Sequence, residues 1–588
     1  MGGKASKNRD NEEAVIRPKQ LTQTIIPHKK SNALLVAAID FGTTYTGFGY
    51  SFKNNPDHFF ANWHGGMEQL QEKIPTAVLM NPKKEFHSFG HEANKTYMQL
   101  VQENKHQDWY YFNRFKMKLF VKQEPLTKDM EIEDFLGKPM IAMEVFTAAI
   151  KYIREHMLTI LNDPDRKDLA INGITDIHWV LTIPAIWDDL SKHFMREAAQ
   201  QAGIPSDMLT LALEPEAASL FCKKDLQSTD CRYILIDLGG GTVDITCHEV
   251  SSNGSLTELH PPIGGDFGGT SVDNKFVSVL NRIFGADIVH QFKIKYTESY
   301  WELMSGFELK KRSFGGSGEV RLKFPLSLVQ LYDNIVGESL TKSLEQSTIA
   351  EVVQFKTDKM VLGETLMKDL FSSSVKELKQ ATDGILSKVE NIENIILVGG
   401  FSESPYIRKM MREHFGNILV LPKSPSIAVL QGAALYGHEP TAISSRKCRY
   451  TYGISRMERF NERKHPVNKK VEIGKYTYCD GVFCKHIEIG TEVNVNRPDL
   501  AIEHEYFPSS SEQSLAILEV YRSCKKDPVF VDETDCHLVG LIKVQINTKG
   551  DIWTKLMVKL IFGGTELIVE VRDEKNSTVT TGSVDFLG

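Results

Sequence analysis

Two short stretches carry the residue types best suited to chemistry. One is Ala37-Ala38-Ile39-Asp40-Phe41-Gly42-Thr43-Thr44-Tyr45-Thr46-Gly47, and the other is Ile234-Leu235-Ile236-Asp237-Leu238-Gly239-Gly240-Gly241-Thr242-Val243-Asp244. Each reads as an apolar run, an Asp, a turn of Gly and Thr, and a second strand-like run. The apolar run predicts a buried strand and the Gly/Thr turn a tight hairpin. Glycine lets backbone N–H groups come close to phosphate, and Thr hydroxyls add donors. An Asp at a strand end can hold magnesium, usually through water, because magnesium sheds its waters reluctantly. Two such turns facing each other would grip a triphosphate from both sides. The repeat therefore predicts a duplicated α/β unit with a cleft between its halves.

The elements that must position these turns follow along the chain. Lys73-Ile74-Pro75-Thr76-Ala77-Val78-Leu79 reads as a strand. Residues 109–120 mix aromatics with Arg114, Lys116 and Lys118. Either one of these cations lies over the γ-phosphate, or the segment is a basic amphipathic helix with its aromatics turned inward. Residues 140–160 read as helix, 179–184 as a strand ended by Pro184, and 188–203 as a helix opening with Asp188 and Asp189. Pro215 fits a first helical turn, which puts Glu214 at a strand-to-helix junction where a carboxylate can face a cleft. Residues 262–274 are Gly-rich, with Gly268 and Gly269, and precede a helix. Glu308, Lys311 and Arg312 share one helix face; they form a clamp for a base or ribose, or a surface ion pair. Residues 391–411 read as strand, turn and helix. There Gly399 and Gly400 permit close ligand approach, and the helix start next to Ser402 offers free N–H donors. Residues 425–437 form a helix of small residues, including Gly432, suited to tight packing.

Composition sets outer bounds. The chain has 588 residues, 41% hydrophobic and 25% charged, with a net charge of −7. This length suggests roughly three to four compact units, and the charge gives no argument for nucleic acid. No apolar run is long enough to cross a membrane, and no signal-peptide pattern is present. The eight Cys lack a C-x-x-C pair, Cys479 and Cys484 being the closest. That favours reduced thiols in a cytoplasmic protein over a disulfide frame or a zinc site. Residues 1–32 read as a disordered arm. Its Met1-Gly2-Gly3-Lys4-Ala5-Ser6 start matches the N-myristoylation pattern, and acylation of Gly2 would give weak membrane association. After residue 440 the helical patterns stop. We read 33–440 as one nucleotide-binding unit, 441–452 as a linker and 453–588 as an all-β module. Its strands are expected at Leu515 to Tyr521, Leu538 to Ile546, Met557 to Ile561 and Thr565 to Val571, with turns at Gly550-Asp551, Gly563-Gly564 and Lys575-Asn576.

In this order, the two Asp turns, Glu214-Pro215 with Ala217-Ala218, Glu308-x-x-Lys311-Arg312 and Gly399-Gly400 carry a resemblance over residues 33–588. The chain resembles the 70-kilodalton heat-shock protein superfamily on the actin-like ATPase fold, and within it the divergent 12A/12B subfamily. The resemblance implies two lobes around an ATP/ADP cleft with Mg2+, followed by a small β-domain without a helical lid. It implies that Asp40 and Asp237 hold hydrated magnesium. Gly42, Thr43, Thr44, Tyr45, Gly239, Gly240, Gly241, Gly268 and Gly269 would line the phosphates. Thr242 and Glu214 would position the attacking water, with Asp237 a proton acceptor, and a cation near Lys116 would steady the transferred group. Glu308, Lys311, Arg312, Gly399, Gly400 and Ser402 would hold the adenosine. Pro184 and Lys192 match places that couple nucleotide state to the β-domain.

The chain also departs from the family. Glu403 falls where the family has an Arg beside adenine, the catalytic Lys does not align cleanly among Arg114, Lys116 and Lys118, and the Leu-rich acidic linker and acidic tail are missing. The expected function is a slowly hydrolysing, chaperone-like ATP-binding protein whose β-domain holds a polypeptide client or a dedicated partner. A nucleotide-dependent scaffold or adaptor with little ATPase is the alternative. A small-molecule kinase on the same fold is a more distant one.

Overall fold

A computed structural model describes residues 33–583, apart from 62–71, 121–125, 163–175, 224–229, 341, 343–352, 357, 509–512, 547–554 and 574–577. The expected arm 1–32 with its Gly2, and the turns at Gly550-Asp551 and Lys575-Asn576, lie outside the described residues. The chain is mixed α/β, as its sequence predicts.

The internal repeat of the sequence is a repeat of topology. In the first sheet Leu209–Leu213, Ile177–Ile183 and Leu35–Phe41 run parallel, and Tyr45–Phe52 and Asn55–Phe60 continue it antiparallel. In the second, Leu419–Val420, Ile392–Val398 and Arg232–Leu238 run parallel, and Val243–Val250 and Leu256–Gly265 follow antiparallel. Each Asp motif thus lies in the first strand of a hairpin at the middle of its sheet. Leu35–Phe41 is buried along its whole length, and so is Ile177–Ile183. This is why both read as near-continuous apolar runs rather than alternating ones.

Each sheet has its own core of aliphatic and aromatic side chains. A third core joins them. It is built on two helices, Glu214–Cys222 and Ala428–His438, which pack on each other between the sheets. The small residues of the second helix allow this. A Cβ on Gly432 would fall into the backbone carbonyl of Ala217, so the two helices meet backbone to backbone.

Several boundaries differ from expectation. Lys73–Leu79 is two strands, Lys73–Pro75 and Ala77–Met80, in different sheets. Pro75 lacks the N–H needed to continue a ladder. Residues 109–120 are not a helix. Tyr110–Asn113 is a strand, Phe115–Leu119 a short 3-10 turn, and Arg114 between them is left-handed at φ 55°. The stretch 441–452 is not a free linker either. Ile443–Lys447 is a strand that pairs with Leu256–Gly265 on one side and Glu492–Asn494 on the other.

Beyond residue 450 the regular elements, among the described residues, are strands and short 3-10 turns. They form two sheets. One runs Lys470–Ile473, Tyr476–Ile487, Thr451–Arg459, Leu515–Ser523, Cys536–Gln545, and the other Glu503–Tyr506, Leu556–Ile561, Ile568–Asp573, Thr578–Ser583. Their inward aliphatic residues share one core. The predicted Thr565–Val571 strand starts three residues late because Gly563-Gly564 and their neighbours form the turn.

This β-rich part packs on the first lobe through polar contacts. Tyr452 donates to Asp189 at 2.7 Å, Arg449 donates to the Ala185 carbonyl at 2.8 Å, and Arg196 Nε donates to Glu566 at 2.6 Å. Arg446 lies at the centre. It forks onto Glu216 with two bonds of 2.6 Å and also donates to the Gly563 carbonyl. Lys192 is paired with Asp189 at 3.8 Å within this contact.

Glu258 is buried beside the same junction and accepts the Lys447 N–H at 2.6 Å. Burial, with Glu216 nearby, pushes its pKa up to about 8. The unfolded carboxyl releases its proton near 4.5. Folding therefore takes up a proton between these values, and this group's contribution to stability falls as pH rises from about 4.5 to about 8. Glu258→Gln keeps the acceptor and removes the titration. Its stability relative to the parent is expected to rise by on the order of 1–3 kcal/mol between pH 5 and pH 9. Parallel melting curves of the two proteins against pH would contradict this.

Candidate functional site

Both hairpin turns open onto one cavity of about 1260 Å3 between the lobes. Asp40, Gly42, Thr43, Thr44 and Tyr45 line it from the first lobe, and Asp237, Gly239, Gly240, Gly241 and Thr242 from the second. The turns come close together: a Cβ on Gly240 would meet Thr44, and one on Gly241 would meet Thr43 and Met117. The next helix braces the second turn from behind. The N–H groups of Gly268, Gly269 and Thr270 donate to the carbonyls of Gly241, Gly239 and Gly240 at 3.2, 3.2 and 2.7 Å. Among the described residues, no hydrogen bond within the protein uses the N–H of Gly240 or Gly241. They are therefore free to donate to a phosphate.

Three carboxylates, Asp40, Glu214 and Asp237, line this cavity, and a fourth, Asp244, stands opposite Asp237 on the neighbouring strand. Asp40, Glu214, Asp237 and Asp244 are each at least nine-tenths buried. Burial, followed by repulsion from Glu214, Asp244 and Asp40, pushes the Asp237 carboxyl well above its ordinary range. Burial pushes Glu214 up to about 7, against the pull of Lys116. Burial also pushes Asp244 up to about 6, against the N–H of Ile186, which donates to it at 2.8 Å. Such crowding of like charge in a buried site calls for cations. Two are present. Lys116 donates to Glu214 at 2.7 Å and lies 5.2 Å from the Trp187 ring centre. Lys73 donates to Asp40 at 2.5 Å, and Thr182 donates to the other Asp40 oxygen at 3.1 Å. Burial disfavours the Lys73 charge, but Asp40, Asp237 and Glu214 hold its pKa above the ordinary value. The remaining acid suits a hard dication, and Asp40 and Asp237 are the oxygen donors that would hold magnesium through water.

Of the three basic candidates in 109–120, Lys116 is the buried one beside Glu214. Arg114 turns away, its left-handed backbone carrying it to Asp273 at 2.7 Å. Lys118 is exposed at the cavity edge.

The far end of the cavity carries Glu308, Lys311 and Arg312. They form a network rather than a simple surface pair. Lys311 reaches Glu308 at 2.5 Å, Asp273 at 2.7 Å and the Gly269 carbonyl at 3.1 Å. Arg312 donates to Glu308 at 2.7 Å and lies 5.1 Å from the Tyr45 ring centre. Burial opposes the charge on Glu308, but Lys311 and Arg312 hold its pKa below the usual carboxylate range. Gly399 and Gly400 line the cavity opposite. Gly399 has φ 84°, and a Cβ there would strike Asp237 and the Leu238 carbonyl. Glu403 is exposed at this edge.

Two expected ligand-binding residues do other work. Ser402 is fully buried and donates to the Gly399 carbonyl at 2.6 Å, which fixes the turn. Gly268 packs on the carbonyls of Gly239 and Gly241, where a Cβ has no room. Sequence reasoning missed Lys73, Asp244, Thr182 and Asp273. The signal for Asp244 was within the second motif, and that for Asp273 within the Gly-rich segment 262–274. Lys73 and Thr182 carry no local pattern, because only the folding of their strands beside Asp40 makes them site residues.

Comparison with known proteins agrees with this architecture. The Hsp70 protein family profile matches residues 137–442. Heat shock 70 kDa protein 12A of Mus musculus is 30% identical over 627 residues, covering 94% of this chain and 92% of that protein. Heat shock 70 kDa protein 12B of Homo sapiens is 29% identical, covering 94% of this chain and 91% of that protein. The paired Asp turns, the buried Lys–Glu pair between them and full-length similarity to these relatives lead to one assignment: the chain belongs to the Hsp70 family, in its divergent branch with the 12A and 12B proteins.

Proposed function

We propose that the chain binds ATP with magnesium in the cleft, hydrolyses it slowly, and uses the nucleotide to bias how its β-rich part holds a polypeptide client or a dedicated protein partner. The observation that carries this reading is the cluster of Asp40, Glu214, Asp237 and Asp244 with Lys116, set between two Gly turns, the second of which offers the free N–H groups of Gly240 and Gly241. In this reading Gly240 and Gly241 donate to phosphate oxygens. Lys116 neutralises charge that develops on the transferred group, and Glu214 and Thr242 orient water. Magnesium, when bound, supplies charge neutralisation across the phosphates. Glu308, Lys311 and Arg312 make the base end of the cleft. Trp187 supports a link to the β-rich part, since it touches Lys116 and its carbonyl accepts from Arg449 at 3.3 Å.

A second reading is a nucleotide-sensing scaffold with little turnover. The Lys73–Asp40 pair at 2.5 Å favours it, because Lys73 occupies one of the two carboxylates that would hold magnesium. Single-turnover hydrolysis of labelled ATP, with direct binding of ATP and ADP, separates the two. Asp237→Asn is expected to lower the single-turnover rate by about 100-fold, by removing a charge beside the reacting phosphate, and Thr43→Ala to weaken nucleotide binding only mildly. Tight binding without hydrolysis would favour the scaffold. Turnover unchanged by Asp237→Asn would overturn the site assignment.

A further inference from the structure

The core of the β-rich part is mostly aliphatic, and one place in it brings three metal-ligating side chains together. Cys484 and His486 from the strand Tyr476–Ile487, and His504 from Glu503–Tyr506 of the facing sheet, come together between the sheets. Each offers a ligand atom within 4.8 Å of the others. Cys484 Sγ and His504 Nδ1 are 3.5 Å apart. Ligand atoms of a tetrahedral zinc site are roughly 3.3–3.8 Å apart, given zinc–ligand bonds of about 2.0–2.3 Å.

Three further features set this cluster apart from ordinary packing. First, Nδ1 of His486 is buried without a hydrogen-bond partner, and Cys484 and His486 are almost wholly buried. Unpaired polar atoms in an apolar core are costly unless something else satisfies them. Second, the pairing with Thr451–Arg459 slips at this point. Tyr452 faces Ile487 and Gly453 faces Lys485, so His486 is the extra residue of a bulge. Bulges re-aim side chains, and they are frequent next to functional sites. Third, an outer-shell partner is in place: the Tyr506 hydroxyl lies 2.9 Å from His486 Nε2. Imidazole ligands of zinc commonly give their second nitrogen to such groups. Arg456 is a cation beside the cluster, and Glu458 holds it at 2.9 Å.

We propose that Cys484, His486 and His504 form a zinc site that joins the two β-sheets, with water in the fourth position. One thiolate and two imidazoles make a borderline-soft donor set that suits zinc and excludes magnesium and calcium. No C-x-x-C pattern announces the site, because its ligands come from strands in separate sheets.

The full-length chain with Cys524→Ser, which removes an exposed thiol, is stripped with chelator and dialysed against zinc or cobalt. Elemental analysis is expected to find about one zinc per chain, and the cobalt form to show a thiolate-to-metal absorption band with intense tetrahedral d–d bands. Cys484→Ser is expected to abolish the thiolate band, and His504→Gln to weaken zinc binding at least tenfold. Should either variant misfold, the cobalt spectrum of the Cys524→Ser parent decides alone. No zinc uptake, a cobalt spectrum without the thiolate band, or uptake undiminished in both variants would overturn the proposal.

Discussion

Gly432→Ala is expected to destabilise the protein by about 3 kcal/mol or more, and to lower the first thermal transition by on the order of 5–10 °C. In most helices this change is stabilising, because glycine has the higher conformational entropy when unfolded. Here packing reverses the sign. The helix Ala428–His438 lies against Glu214–Cys222, and the new methyl group would occupy the Ala217 carbonyl. It would clash with backbone rather than with the mobile end of a side chain, so only a shift of one whole helix relieves it. That shift reaches the cleft. Glu214 begins one helix, and Ile427 and Val429 at the start of the other line the cavity. Loss of ATP affinity is therefore expected together with loss of stability. A variant that melts with the parent would show that the helices part more easily than this contact implies.

Arg446→Ala is expected to cost about 3–5 kcal/mol, because it leaves the Glu216 carboxylate buried without its partner. Both side chains are at least nine-tenths buried, at 9% and 2% exposure. The loss should fall on the junction between the lobes and the β-rich part, since Arg446 also binds the Gly563 carbonyl. Hydrogen exchange at residues 443–447 and 492–494 is expected to accelerate, with the central strands of both lobes little changed. Adding Glu216→Gln should recover part of the stability, because a neutral amide is less costly to bury alone than a carboxylate. Equal destabilisation of the double and single variants would show that the charge pair is not the cause.

The parts legible in the sequence were those written in local pattern. Asp40 and Asp237 each end an apolar run before a Gly turn, and the structure places both turns at one cavity. Helices with a clear start were also legible: Asp188 caps Asp189–Gln201 by accepting the Ser191 N–H at 2.9 Å, and Pro215 sits in the first turn of its helix. What could not be read depends on tertiary contact. Segment 109–120 has helix-like composition, yet Arg114 is drawn into a left-handed bend by Asp273, far along the chain. Lys73 acquires a role only because its short strand pairs with Tyr45–Phe52 and so approaches Asp40. The segment Ile443–Lys447 looked like a linker because it is short and polar in sequence. It becomes a strand because its backbone finds partners on both sides.

That strand has a consequence for any separation of the two parts. One sheet runs without a break from the second lobe, through Ile443–Lys447, to Glu492–Asn494. Pulling the β-rich part away would leave at least one row of backbone donors and acceptors bare. An exposed edge of this kind is a template for pairing with any extended chain, including another copy of the same protein. The opened form would thus be adhesive by virtue of its backbone alone, before any side-chain pocket was engaged. Its capture of extended peptide and its tendency to self-associate would rise and fall together.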